Sequence, residues 1–424
     1  MAVKEVHVLV DSARKTEIID TAGTMFASRG VRTSLQEIAE AAGILPGSLY
    51  HHFDSKEAII VELIERYQRD LDDVAERARS ELREVDDRRS RERIVALGTA
   101  IASCAIRHRA ALMLTFYEPP AGASDEFVRL AQRTPTGVEQ AMLETVRAAH
   151  ASGDLRVGID VRLLANRLCQ SMLHVGIGVS HQTPGGEHVP EVRCALLLDG
   201  VAVRAPADST LQRSHAMRAA DIEIDSWAER DGDAGDDHGT LVHAARSEFA
   251  RRGYGATTVR DVAAAASLSI GAVYRLIRSK NELLESIMRG YSTTVTKGWD
   301  AVLTSDASTL EKLDALMWLN INVLDRFSEE YKIHAALLPQ LPLTTPDLGM
   351  SFSAQLRKLR TVLAAGLRSG ELQFPKGPAD MRARSVFALS WTPENIVRDQ
   401  GARGALKLAR DTVLRGAAAQ RGTT

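Results

Sequence analysis

One stretch of the sequence occurs twice in similar form, as SLQEIAEAAGILPGSLYHHFDSK at residues 34–56 and as TVRDVAAAASLSIGAVYRLIRSK at residues 258–280. In each copy a hydroxyl residue precedes apolar residues at helical spacing, a tight turn follows, and a second short helix ends before a Ser-Lys pair. Ser34 with Glu37, and Thr258 with Asp261, have the spacing of a capping box. The pattern predicts a helix-turn-helix in each half, whose second helix faces the major groove of DNA.

A matching apolar stripe precedes each copy. Its residues are spaced about one helical turn apart, which predicts a buried helix that supports the two short ones. The stripes consist of Ile18, Ile19, Ala22 and Phe26 in the first half, and of Leu241, Val242, Ala245 and Phe249 in the second.

Both copies resemble the DNA-binding head of the TetR family of transcriptional regulators. The second copy departs from the family pattern at Leu276 and Ile277, where an aromatic residue is usual, and at Ser267, which replaces the turn glycine. The resemblance rests on Phe26, Gly30, Thr33, Ile38, Ala39, Ala42, Gly43, Tyr50, Phe53 and Lys56, and on Phe249, Gly253, Thr257, Val262, Ala263, Gly271, Tyr274 and Lys280.

The repeat extends beyond the heads. Ser152-Gly-Asp-Leu155 and Ser369-Gly-Glu-Leu372 are equivalent turns, each placed before a further amphipathic helix. We therefore predict an all-α chain with two tandem helix-turn-helix heads, each followed by a helical body. The expected domains are a first head at 1–54, a first body at 55–205, an acidic linker at 206–237, a second head at 238–278 and a second body at 279–424.

The bulk composition limits the class of protein. A chain of 424 residues is too long for one core, and 45% apolar with 25% charged residues indicates a globular protein. No apolar run approaches the roughly 18 residues that span a bilayer, and no signal peptide opens the chain, so we expect no membrane partner and a cytoplasmic location. The three well-separated cysteines indicate reduced core thiols.

The net charge of −2 requires any DNA binding to be local. Residues 14–56 hold five Lys or Arg and five acidic residues, whereas residues 239–280 hold seven Lys or Arg and two acidic residues. The second head is therefore expected to attract DNA more strongly, although its motif is the weaker one.

The candidate DNA contacts follow from the helix-turn-helix placement. We expect contacts with DNA phosphates from the helix N-termini, from the tyrosine at the end of the reading helix and from the lysine after it. Arg275 suits a bidentate contact with guanine. The candidates are Thr33, Ser34, Leu45, Pro46, Gly47, Ser48, Tyr50, His51 and Lys56 in the first head, and Thr257, Thr258, Ser269, Ile270, Gly271, Ala272, Tyr274, Arg275 and Lys280 in the second.

The bodies carry no motif of a reaction centre: the sequence has no His-Glu-x-x-His, nucleophile elbow, phosphate loop or Cys-x-x-Cys. We therefore expect no catalytic residue, no cofactor and no metal site, and we interpret His174, His181 and His188 as solvated. The resemblance implies instead that each body encloses an effector pocket, and methionine and aromatic residues suit an adaptable apolar cavity. The candidates are Met113, Phe116, Tyr117, Phe127, Met142 and Met172 in the first body, and Met317, Trp318, Ile321, Phe327, Tyr331, Phe352, Phe387 and Trp391 in the second.

The leading hypothesis is a ligand-responsive transcriptional repressor that binds double-stranded operator DNA with two heads in one chain and responds to an apolar small molecule. The alternative is an all-helical small-molecule or partner-binding protein whose heads have lost DNA reading. Because TetR-like proteins pair as two-fold dimers, we expect the two halves to pair as an intramolecular pseudo-dimer through the stripe Val161, Leu164, Leu168, Met172 and Val175. A homodimer with four heads is the competing arrangement.

Overall fold

A computed structural model of the chain describes residues 2–30, 33–84, 89–119, 122–179, 185–228, 237–337 and 352–419. Across these ranges the regular structure is helical, apart from two isolated antiparallel bridges. The predicted all-α class, with two tandem helix-turn-helix heads that each precede a helical body, is confirmed. Within the same ranges, no helix is both long and apolar enough to cross a membrane.

The first head consists of α1 (Ala2–Arg29), α2 (Leu35–Ala41) and α3 (Pro46–His52). Ser34 and Glu37 form the predicted capping box at the start of α2. Gly43 ends α2 with a φ of 65°, which glycine adopts without steric cost. Ile38 and Leu49 are fully buried, since α2 packs on α1 and α3 packs on α2, and the other face of each short helix is left to solvent.

The first body follows directly, because Ser55 caps the long helix that leaves the head. The body's helices pack mainly through α4, α5, α8 and α9 around a continuous apolar core. They are α4 (Lys56–Arg83), α5 (Ser90–Arg107), α6 (Arg109–Leu114), α7 (Asp125–Ala131), α8 (Thr136–Ala151), α9 (Val161–Leu173), α10 (Val175–Gly178) and α11 (Val189–Asp199).

The second half repeats this order after two additional helices. The kink at Gly401, which has a φ of 67°, divides its last long helix, and a short π-helical turn, Arg410–Leu414, follows. The helices are α12 (Asp208–Gln212), α13 (His215–Ala228), α14 (Asp237–Arg252), α15 (Val259–Ala265), α16 (Ile270–Leu276), α17 (Lys280–Thr304), α18 (Thr309–Arg326), α19 (Ser328–Leu337), α20 (Phe352–Arg368), α21 (Ala379–Leu389) and α22 (Glu394–Ala409).

The segment expected as an acidic linker, 206–237, forms α12 and α13 over most of its described part. α13 packs against α17 and α18 of the second body. Met217, Ala220 and Trp227 on α13 are buried, and Trp227 lies edge-on to Phe327 at 5.2 Å between ring centroids. The acidic residues on the outer face concealed this apolar stripe, which stabilises α13 as part of the body. Residues 229–236 lie outside the described ranges.

The two halves contact each other along their last helices. α9 packs on α22, while α11 packs on α21 and on the Arg410–Leu414 turn. Arg167 on α9 is fully buried and donates to the Leu389 carbonyl at 2.8 Å and to the Thr392 hydroxyl at 3.1 Å. The stripe predicted on α9 takes part in this contact, and α11 joins it.

Backbone pairing between the halves is reciprocal. Leu155, in the Ser-Gly-Asp-Leu turn of the first half, forms a bridge with Ala418 near the end of the second half. Leu372, in the equivalent turn of the second half, forms the matching bridge with Ala202, just past the end of α11. The same pair of segments thus meets twice with the halves exchanged.

Two glycines lie where the backbones of the halves come closest. A Cβ atom on Gly200 would lie 2.4 Å from the Leu414 carbonyl oxygen, and one on Gly416 would lie 2.2 Å from the Asp199 carbonyl carbon. Both residues also have positive φ, 70° and 75° respectively. Each glycine is therefore required by conformation and by space, and each lies at the equivalent position of its half.

Candidate DNA-binding heads and effector region

The outer face of α3 presents the residues predicted to read bases. Leu45 is 75% exposed and Tyr50 is 54% exposed, large fractions for such side chains in a folded domain. Leu49 on the opposite face is fully buried and holds the helix to the head. The remaining candidates on this helix are accessible too: Pro46, Gly47 and His51 are exposed, and Ser48 is partly exposed.

The second head presents the equivalent surface on α16. Ile270 is 42% and Tyr274 57% exposed, and Arg275 is exposed beside them. Ser269 caps the helix by accepting the Ala272 N–H at 3.1 Å. A Cβ atom on Gly271, or on Gly47 of the first head, would meet no atom within 4 Å, so both glycines leave open surface at the start of the reading helix.

Ser267 keeps the turn of the second head intact. Its φ of 56° lies in the left-handed region, where Gly43 stands in the first head at 65°. A non-glycine residue in this region costs on the order of 1 kcal/mol. The departure from the family pattern therefore lowers the stability of the turn without changing its path.

The four hydroxyl candidates that precede α2 and α15 divide into two buried and two exposed. Thr33 and Thr257 are buried, and the Thr257 hydroxyl donates to the Gly253 carbonyl at 2.9 Å, so these side chains are occupied inside the heads. Ser34 and Thr258 are exposed helix caps. The hydrogen bonds of Thr258 hold the pKa of Asp261 below its usual value, so this cap carboxylate stays ionised.

Lys280 is engaged within its own head. Its Nζ donates to the carbonyls of Tyr254 at 2.7 Å and Thr257 at 2.6 Å, and it lies 4.2 Å from the centroid of the Tyr254 ring. A phosphate contact would have to compete with these three interactions. Lys56, the equivalent residue of the first head, is half-buried.

The bodies offset much of the positive charge of the second head. Arg246 is paired with Glu329 at 2.9 Å and with Glu330 at 3.2 Å, and Arg251 is paired with Glu118 of the first body at 2.8 Å. These three carboxylates lie outside residues 239–280, where the sequence has five more basic than acidic residues. They offset more than half of that excess of positive charge. The expected electrostatic advantage of the second head is reduced accordingly.

The second head also touches the first body, which the sequence did not predict. The Glu118 N–H donates to the Arg251 carbonyl at 3.0 Å. A Cβ atom on Gly253, whose φ is 83°, would lie 3.0 Å from the ring of Tyr117. The loop after α6 therefore packs on the end of α14, so one half positions the head of the other.

The effector candidates of the first body are core residues or border the core. Phe116 stacks on His174, with 6.4 Å between ring centroids and 14° between ring planes. Burial, together with the charge of Arg193, lowers the pKa of His174 to about 4. The interpretation of His174 as solvated is therefore wrong. Met113, Phe127, Met142 and Met172 are buried, and Phe116 and Tyr117 are half-buried.

The candidates of the second body form aromatic contacts with one another and with α13. Tyr331 stacks on Trp391 at 5.1 Å, and the Trp318 indole donates to Asp221 of α13 at 2.8 Å. Met317, Ile321 and Phe387 are buried, Trp318, Phe327, Tyr331 and Trp391 are half-buried, and the side chain of Phe352 lies outside the described part of the chain.

Two surface pockets in the described part of the chain are lined by none of these candidates. One, of about 240 Å³, lies between α4, α5 and α8 of the first body, with Arg77 and Arg93 beside the apolar residues Val74 and Leu97. The other, of about 350 Å³, lies at the junction of α12 and α13 and is lined by polar and charged residues. The sequence did not indicate either pocket, because their lining residues come from helices far apart in the chain.

Comparison with known proteins agrees with this architecture. The model of the bacterial regulatory proteins of the tetR family matches residues 18–63 and again residues 241–287. The HTH-type transcriptional repressor KstR2 of Rhodococcus jostii (strain RHA1) is 32% identical over 197 residues, which cover 45% of this chain and 92% of that protein. The chain belongs to the TetR family.

Further matches cover the same share of this chain. KstR2 of Mycolicibacterium smegmatis (strain ATCC 700084 / mc(2)155) is 30% identical over 207 residues, 45% of this chain and 91% of that protein. Among solved structures, the probable transcriptional regulatory protein RHA5900 is 28% identical, with 45% of this chain and 100% of that chain covered at a TM-score of 0.38. The two KstR2 proteins, covered over more than nine-tenths of their length, each correspond to less than half of this chain, as expected for a tandem TetR regulator.

Proposed function

We propose that this chain is a ligand-responsive TetR-type repressor that acts as an intramolecular pseudo-dimer, with one operator bound by two different heads. Each head exposes a tyrosine and an apolar residue on its reading helix, Tyr50 with Leu45 and Tyr274 with Ile270. The base-reading and phosphate-binding roles named for the heads belong to this proposal, as does a cytoplasmic location.

The reciprocal pairing around Gly200 and Gly416 is the observation that carries the pseudo-dimer. It joins the C-terminal helices of the two halves within one chain, so the surface that a TetR-like subunit offers to a second subunit is already occupied. Burial of Arg167 against the Leu389 carbonyl adds a contact specific to this pairing of unlike halves. A homodimer with four heads would need another surface.

The effector in this proposal is a largely apolar small molecule that binds in a body and weakens DNA binding. The motion would be a shift of α4 or α17, because these helices start at the heads and run through the bodies. For this, the effector must bind the DNA-incompetent state more tightly. The aromatic residues near Trp391 make the second body the better candidate. Because these side chains pack against one another, they must rearrange for the effector to enter.

The test combines a mass measurement with a footprint. We expect light scattering to give the mass of one chain, and a footprint on the protein's own upstream DNA to show two unlike half-sites about one helical turn apart. A doubled mass with a perfect palindrome would overturn the pseudo-dimer. The alternative, in which the heads no longer read DNA, predicts no gel shift at low salt, and the occupied Lys280 is the observation that favours it for the second head.

A further inference from the structure

Three metal-binding side chains converge in the first body. Asp70 lies on α4, Cys104 lies in the last turn of α5, and His108 lies at the junction of α5 and α6. Their ligand atoms all lie within 4.8 Å of one another, and the His108 Nε2 is 2.8 Å from the Asp70 Oδ2. Cys104 and His108 share one helix face because they are four residues apart, and the packing of α4 on α5 supplies the third side chain.

The donor set selects a class of ion. A thiolate, an imidazole and a carboxylate are the three ligand types that Zn²⁺ takes in proteins, whereas Mg²⁺ and Ca²⁺ prefer oxygen ligands alone. We propose that Asp70, Cys104 and His108 bind a zinc-like divalent cation, with water as the fourth ligand. The site belongs to the body of the first half and does not depend on the proposed function.

The access and charge of the site fit such an ion. Cys104 is fully buried, while the side chains of His108 and Asp70 are 14% and 35% exposed, so an ion enters from their side. Ligand bonds of about 2.0–2.3 Å in tetrahedral geometry require the His108–Asp70 hydrogen bond to open by a fraction of an ångström. Arg107, now 2.7 Å from the Asp70 Oδ2, is 60% exposed and free to turn away when the cation replaces it.

Binding is accompanied by loss of one proton. Cys104 is a buried free thiol, and a cysteine binds a metal ion as the thiolate. On binding, the S–H bond breaks, the thiolate sulfur forms a bond with the cation, and the proton passes to solvent. Together with the Asp70 carboxylate, the thiolate balances the two positive charges of the ion.

Cobalt titration of the full chain tests the site, because Co²⁺ reports thiolate ligation and tetrahedral geometry in its absorption spectrum. We expect one Co²⁺ per chain, a thiolate-to-cobalt charge-transfer band, and displacement of cobalt by Zn²⁺. Cys104→Ser should abolish the band, and Asp70→Asn and His108→Ala should each weaken binding by about tenfold or more. Cys194→Ser, which alters another buried thiol, is the matched control and should bind as the parent protein does.

Two results would overturn the proposal. One is the absence of a charge-transfer band in the parent protein at excess Co²⁺. The other is an undiminished affinity in Asp70→Asn and His108→Ala, which would place the ion at another thiol. These two variants alter partly exposed side chains, so they decide the question even where Cys104→Ser fails to fold.

Discussion

The Glu118 carboxylate of the first body accepts a hydrogen bond at 2.8 Å from the Arg251 guanidinium of the second head. The two residues are 133 positions apart in the chain, and a backbone hydrogen bond between them runs in parallel at 3.0 Å. A change in the loop after α6 is therefore transmitted to the head of the other half.

Removal of the Glu118 side chain should weaken binding at one half-site only. The ion pair is partly exposed, so its loss is expected to cost less than about 1 kcal/mol, or roughly two- to fivefold in affinity. At a salt concentration that screens the freed charge of Arg251, we expect Glu118→Ala to reduce protection of the half-site bound by the second head, and Glu126→Ala, an exposed control in the same body, to leave it unchanged. Equal loss at both half-sites in a quantitative footprint would show that the contact does not act on the second head alone.

The tyrosines of the reading helices should contribute to DNA affinity without affecting sequence preference. Loss of a hydrogen bond to phosphate from Tyr50 or Tyr274 is expected to cost about 1–1.5 kcal/mol, or roughly five- to tenfold. If the hydroxyl makes the contact, replacement of either tyrosine by Phe should lower the DNA affinity as much as replacement by Ala. Gel shifts over a salt series measure the affinities of the Phe and Ala variants. Wild-type affinity in Tyr50→Ala would contradict the placement of the first head on DNA.

Arg275 should determine the base preference of the second head. A bidentate contact with guanine contributes about 1–3 kcal/mol of discrimination, so Arg275→Ala is expected to relax selection at one base pair. Arg278→Ala changes an exposed arginine next to the end of the same helix and should weaken binding uniformly. Selection from a randomised half-site compares the two, and an unchanged preference in Arg275→Ala would assign base reading to other residues.

Alanine at Gly416 should disrupt the pairing of the halves. A Cβ atom there would lie 2.2 Å from the Asp199 carbonyl carbon, whereas Gly401 has a similar φ of 67° but no atom within 4 Å of an added Cβ. Gly401→Ala thus isolates the conformational cost of about 1 kcal/mol, and Gly416→Ala should be several times more destabilising. Urea denaturation measures the difference, and equal stabilities would contradict the close approach of the two backbones.

Stability should fall on mild acidification because of two half-buried histidines. Burial lowers the pKa of His174 and of His334 to about 4, below the unfolded value of about 6.5. The unfolded chain then binds more protons, so this contribution is constant above about pH 6.5 and is lost as the pH falls towards 4. From pH 7 to pH 5 we expect a loss of roughly 1–2 kcal/mol for each histidine. His174→Gln should show a shallower pH dependence of urea denaturation, and an unchanged slope would place the titration elsewhere.

The sequence alone determined the local structure. Capping at Ser34 and Thr258, the turns at Gly43 and Ser267, and the burial of Ile18 and Phe26 depend on residues at most a few turns apart, so helical periodicity and capping chemistry predict them. The exposure of the reading helices follows from the same patterns. The duplicated Ser-Gly-acidic-Leu turns likewise revealed the repeat of the bodies.

Only the tertiary structure decided what those elements do to one another. It placed α13 in the second body, engaged Lys280 inside its head, paired Arg251 with Glu118, and brought Asp70 to Cys104 and His108. Each of these contacts joins residues from separate helices, and helical periodicity shows which face of a helix is apolar but not which partner covers it. That choice depends on packing of the whole chain, where shape and charge compensation across distant segments select one arrangement.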